Sequence, residues 1–109
     1  MNYLTDDFKM ITVSNREIDK HRLRELLLQT KSGLPDRKVT IQRMMTKDNA
    51  AMVESNWTVT HTGEFMGYPA SNNRIEFPVV NILEFESGKV KLFKDIFNWS
   101  LFERGLNSQ

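Results

Sequence analysis

Cysteine is absent from the 109 residues. Disulfides, thiolate metal sites and cysteine nucleophiles are therefore excluded. No run of apolar residues is long enough to span a bilayer, and the amino terminus lacks the apolar segment of a signal peptide, so the expected address is the cytoplasm with no membrane partner. An excess of one charge is missing too. Fifteen Lys and Arg stand against 14 Asp and Glu, which leaves no concentrated basic footprint for nucleic acid. The local cluster "REIDKHRLR" (16–24) reads as a solvated helix face. Histidine occurs only as His21 and His61, too few and too far apart for a metal cluster, and no glycine-rich phosphate loop is present, so neither metal nor organic cofactor is expected.

The residues that are there describe one ordinary globular domain over 1–109, with 39% hydrophobic and 27% charged residues. "DDFKMITV" (6–13) alternates weakly and predicts a strand. Ser14 and Glu17 have capping-box spacing and predict a helix start. Behind them Leu23, Leu26, Leu27 and Thr30 form an apolar stripe that "SGLPD" (32–36) ends. Strands follow. "KVTIQRMM" (38–45) alternates Val39, Ile41, Arg43 and Met45. "AMVESNWTVTHTG" (51–63) puts Ala51, Val53, Ser55, Trp57, Val59 and His61 on one face. "RIEFPVVNILEFE" (74–86) aligns Ile75, Phe77, Val79, Asn81, Leu83 and Phe85, with Pro78 marking a bulge or an edge. "VKLFKDIFNW" (90–99) predicts the last strand. One helix and a long antiparallel meander make an α+β plan, a bent sheet with helix on one side.

Two polar residues interrupt apolar rows. Asp95 shares a face with Phe93, Phe97 and Trp99. A carboxylate among rings loses hydration, which favours its neutral form and suits it to acid–base work. Equally, a hydrogen-bonded partner on the next strand accounts for it. Asn81 either orients a ligand carbonyl or Asp95, or satisfies a buried backbone group. His61, at a strand end before Gly63, is a weaker candidate and reads as a partly exposed packing residue. Around it "THTGEFMGYP" (60–69) sets Phe65, Met66 and Tyr68 at the mouth of a hairpin, either as a pocket rim or as packing at a sheet corner.

In order and spacing, "LPDRKVTI", "THTGEFMGYP", "RIEFPVVNILEFESGKV" and "DIFNWSLFERGL" resemble the SnoaL-like polyketide cyclases of the nuclear-transport-factor-2-like superfamily, over about residues 3 to 106. The resemblance implies a cone-shaped α+β barrel in which a curved antiparallel sheet surrounds a deep apolar pocket. It also implies a pocket aspartate acting as acid and base in a cofactor-free ring closure. Asp95 then falls on the acid/base, with Asn81 orienting and His61 at the rim. Trp57, Phe65, Met66, Tyr68, Phe93, Phe97 and Trp99 become contacts for a small apolar, oxygenated ligand. Other superfamily members are isomerases, dehydratases, hydrolases or assembly modules, so a non-catalytic binding or assembly domain is the alternative. Phe93 stands where the family commonly has His, Lys94 where it has Trp, and Asn98 and Asn81 where many members have Asp. "MNYLTDDF" matches the stretch after the family's front helices, implying a shortened member or a piece of a longer protein. With one helix to cover an apolar sheet face, a homo-oligomer, most simply a two-fold dimer, is expected.

Overall fold

In the computed structural model, which describes residues 3–107, the elements run β1 (Leu4–Ile11), β2 (Glu17–Ile18), α1 (Lys20–Gly33), β3 (Asp36–Lys47), β4 (Ala50–Thr60), β5 (Arg74–Glu86), β6 (Lys89–Phe97) and α2 (Trp99–Leu106). The strands form one curved mixed sheet in the order β2-β1-β6-β5-β4-β3. Three antiparallel ladders join β3 to β6 as a meander, whereas β1 lies parallel to β6. The α+β class is as expected from the sequence; the parallel pair is not. No helix of the described residues is long and apolar enough to cross a membrane.

Period-two patterning sets the two faces of the sheet. Val59, Ile75, Phe77 and Val79 are buried on what we call the inner face, with Phe65, Phe102, Leu106 and Leu34 packed over them. α2 lies against β5 and α1 against β1. On β3 the expected row breaks. An extra residue between Ile41 and Arg43 shifts the register against β4, so Val39, Ile41 and then Met44 oppose Trp57, Ser55 and Val53. Arg43 and Met45 are thereby turned to the outer face, where Arg43 sits 3.6 Å from Glu54. A bulge of this kind inverts the alternation beyond it.

Three further expectations change. The helix does not start behind Ser14. Asn15 takes a left-handed conformation (φ 64°) in a tight β1–β2 turn, and Asp19 caps α1 by accepting from the Arg22 N–H at 2.9 Å. That bond lowers the Asp19 carboxyl from its ordinary value. Leu27 is 46% exposed and stands off the stripe that packs. The last strand ends at Phe97, and a second helix unforeseen from the sequence follows, its first turn capped by Asn98 accepting from the Leu101 N–H at 3.2 Å. Trp99 is accordingly the first residue of α2, not a member of the β6 row. Pro78 sits in an interior strand at a local edge. The β5–β6 ladder stops at Val79 opposite Phe97, so on that side Pro78 has no strand to donate to.

Where α1 meets the hairpin after β4, the backbones touch. The Gly63 N–H donates to the Gly33 carbonyl at 3.1 Å. A Cβ on Gly63 would lie 2.5 Å from the Ser32 oxygen, and one on Gly33 2.6 Å from the Glu64 oxygen. Only glycine permits this crossing.

Candidate functional site

Asn81 and Asp95 face each other directly across β5 and β6. The Asn81 Nδ2 donates to Asp95 Oδ1 at 2.7 Å and lies 3.4 Å from the Lys94 carbonyl oxygen. Asn81 is buried and Asp95 half-buried, with Phe93 and Phe97 on either side of the acid along β6 and Val53 beyond Asn81 on β4. Burial pushes the Asp95 carboxyl above its ordinary value, and the Asn81 bond pulls the other way more weakly. A carboxyl group held this way keeps a proton to higher pH and takes one back readily, the property a general acid/base requires. Beside it the β1–β2 turn brings Thr12, Val13 and Asn15 against Lys94, Asp95, Ile96 and Phe97 around an open cleft of about 290 Å³.

Below this pair the inner face is aromatic. Phe102 of α2 is the hub, with ring centroids at 4.9 Å from Phe77, 5.6 Å from Trp99, 5.8 Å from Phe97 and 6.0 Å from Phe65. Trp57 stacks on Phe77 at 6.3 Å. Its indole N–H donates to the buried Ser55 hydroxyl at 3.2 Å, and the Arg37 guanidinium lies 5.4 Å over its ring. Ser55 thus fixes the indole, a role its place on the Trp57 row did not reveal.

The hairpin residues separate from the Asp95 pair. Phe65 is 5% exposed and belongs to the core under α2. Met66 and Gly67 form the apex of a two-residue turn with positive φ at both (50° and 86°), closed by reciprocal bonds between Phe65 and Tyr68. Tyr68 reaches α2, donating to Glu103 at 2.5 Å, and that bond raises the Tyr68 phenol above its usual value. This group clasps α2 onto the sheet.

His61, expected to be partly exposed, is completely buried. Its Nδ1 lies 2.9 Å from the Ser71 hydroxyl and 3.2 Å from the Ser71 backbone N–H, while Nε2 has no partner among the described residues. Ser71 Oγ donates to the Gly105 carbonyl at 2.9 Å, and Asn73 Nδ2 donates to the same oxygen at 3.0 Å. His61 therefore backs the anchor of the α2 carboxyl end. The polar turn "SNN" (71–73) was the available signal for that anchor, since Ser and Asn side chains commonly bond backbone groups at turns.

A shallower, open depression of about 500 Å³ lies at the β3–β4 turn, lined by Lys47, Asp48, Asn49, Ala50, Glu84, Phe85 and Lys91. It touches none of the candidate residues. Among the described residues no three His, Asp or Glu side chains gather as a metal site.

Against known proteins, the model of the SnoaL-like polyketide cyclase family matches residues 2–104. No curated protein matches the sequence significantly. Among solved structures, AclR of Streptomyces galilaeus, a proposed hydroxylase, is similar with a TM-score of 0.85 at 23% identity over 96% of this chain. This chain spans 66% of AclR's length. A proposed SnoaL-like polyketide cyclase from Jannaschia sp. CCS1 aligns with a TM-score of 0.92 at 17% identity, over 99% of this chain and 76% of that one. An LEH-like epoxide hydrolase from M. tuberculosis aligns with a TM-score of 0.72 at 22% identity, over 96% and 72%. At these identities the likeness is one of fold, and the chemistry attached to the fold varies between them.

Proposed function

The chain belongs to the SnoaL-like polyketide cyclase family, and on that premise we propose that it binds a small apolar, oxygenated molecule on the inner face, with Asp95 as general acid/base. The observation that carries this reading is the Asp95 carboxyl raised by burial and held at 2.7 Å by Asn81. In an aldol-type ring closure the ionised Asp95 removes a proton from the carbon next to a ligand carbonyl. The resulting enolate carbon attacks a second carbonyl of the same molecule, forming the new carbon–carbon bond. Asp95 then returns its proton to the alkoxide so formed. Asn81 positions the carboxyl throughout, and Phe93, Phe97 and Trp57 supply apolar contact. His61, Phe65, Met66 and Tyr68 hold α2 and the hairpin rather than the ligand.

Proton abstraction is testable without the natural substrate. The α-hydrogens of 2-tetralone, a bicyclic aromatic ketone, exchange with D2O when a base removes them, and proton NMR follows the loss. The intact protein should accelerate the exchange and Asp95→Asn should not, with ligand-induced quenching of tryptophan fluorescence retained in both. Equal exchange rates in the two proteins would refute the assignment.

The alternative is a binding or assembly domain without turnover. It is favoured by Phe93, apolar where the family commonly carries His, and by Asn98, uncharged where the family commonly carries Asp and here used as the cap of α2. Under either reading we propose that the protein acts as a homo-oligomer, because Leu27, Leu28, Val39, Ile41 and Met44 remain between 44% and 63% exposed.

A further inference from the structure

The two edges of the sheet are unlike. One is the two-residue strand β2; the other is β3, twelve residues long and exposed at every position. A long edge strand presents a row of unpaired backbone N–H and C=O groups, and proteins shield such edges or use them. β3 carries Arg37, Lys38, Arg43 and Lys47 against the single acid Asp36. Cations on an edge ordinarily keep a second copy away. Their spacing here favours one register along the full length of the strand.

In an antiparallel pair, residues opposite one another must lie on the same face. The bulge after Ile41 splits β3 into two halves of opposite phase. Arg37, Val39 and Ile41 are inner in the first half and Met44 and Thr46 in the second, while Asp36, Lys38, Thr40, Arg43, Met45 and Lys47 are outer. Two-fold pairing of β3 that engages both halves therefore matches faces only when the first half lies against the second copy's second half. Three such registers match three or more positions of each half. One sets Lys38 against Arg43, and another sets Lys38 against Lys47. The third sets Asp36 opposite Lys47, Arg37 opposite Thr46, Lys38 opposite Met45, Val39 opposite Met44 and Thr40 opposite Arg43, with the axis between Ile41 and the bulged Gln42. There no like charges oppose, both ends close in an Asp–Lys pair, and the exposed Val39 and Met44 cover each other twice.

We propose that β3 is a two-fold interface with a second copy of this chain, paired antiparallel with Asp36 opposite Lys47, so that one sheet runs through both copies. The pairing forms on the order of ten backbone hydrogen bonds. It closes on itself, since each copy uses its one long edge. The inference is independent of Asp95 and of any catalytic role.

The absence of native cysteine makes the register directly testable. Opposed Cα atoms in such a pair sit about 4.5–5.5 Å apart, within the reach of a disulfide. Val39→Cys and Met44→Cys chains, mixed and mildly oxidised at submillimolar concentration, should cross-link to each other, and neither alone should cross-link to itself. Both positions are exposed, so the variants fold, as near-ultraviolet circular dichroism checks. In sedimentation equilibrium the unmodified protein should dimerise. Lys47→Glu should weaken the dimer about tenfold, and Asp36→Lys combined with Lys47→Glu should restore it. A monomer at every concentration, equal self-cross-linking of each single variant, or a dimer indifferent to Lys47→Glu would overturn the proposal.

Discussion

Replacing Asp95 with asparagine removes a charge while keeping the shape and the hydrogen bond, since the new amide oxygen accepts from Asn81 as the carboxylate did at 2.7 Å. Two effects compete. The bond to an ionised acceptor contributes about 1.5–3 kcal/mol and its neutral counterpart about 0.5–1.5, so the substitution costs about 1 kcal/mol on that account. Against this, burial disfavours the carboxylate, and burial is the larger influence because the Asp95 pKa is raised. The direction with pH then follows. An unfolded aspartate titrates near ~4 and the folded one higher, so the folded chain holds the extra proton between the two values. Stability from this group is fully present below the unfolded value and is lost as pH rises through the folded one. Each tenfold difference in acid strength between folded and unfolded chains is worth about 1.4 kcal/mol. Urea unfolding of both proteins from acid to mildly alkaline pH reads out the difference. Near pH 3, where both side chains are neutral, their stabilities should agree within about 1 kcal/mol. Above the folded pKa Asp95→Asn should be the more stable, by an amount that stops growing. A gap that is constant, or that turns in favour of the native protein at high pH, would mean that the Asn81 bond outweighs burial and that Asp95 is not a raised acid.

Two further outcomes follow from the packing. Phe102→Ala removes the ring that touches Phe65, Phe77, Phe97 and Trp99; it should cost about 3–5 kcal/mol and lower the melting temperature by more than about 12 °C in a calorimetric scan. Met66→Asn should raise stability by about 0.5–1 kcal/mol in chemical denaturation, because Met66 holds a left-handed φ of 50° before Gly67, and Asn-Gly suits this two-residue turn where a longer side chain is strained.

The strands were legible in the sequence because alternation is a local property. The faces of β4, β5 and most of β6 follow from it residue by residue, and so does the placing of Asp95 and Asn81 on one face. Their bond was legible only as one of several uses for Asn81, because register between strands depends on the turn and on bulges such as the one after Ile41. α2 went unseen because "FNWSLFERGL" continues the apolar pattern of β6, and its break comes from the Asn98 cap alone. Capping at Ser14 failed for the converse reason. The spacing was right, but Glu17 and Ile18 pair with Ile11 and Met10 instead. The burial of His61 was not legible because its partner Ser71 lies ten residues on, in the loop before β5, and is itself anchored to Gly105 of the unforeseen α2.

The parallel pairing of β1 with β6 also dictates an order of events. The meander from β3 to β6 zips by joining neighbours in sequence, whereas Leu4 must find Val90 and Met10 must find Phe93 across nearly the whole chain. Closing so long a loop is entropically costly and rewards nothing until its partner strand exists, so β1 docks late on a meander already formed. Until it does, the β6 edge beside Asp95 is bare, and Thr12, Val13 and Asn15 are not yet in place around the cleft. The candidate site is therefore completed only after the meander has formed, and β1 leaves the ribosome long before the β6 strand it must pair with.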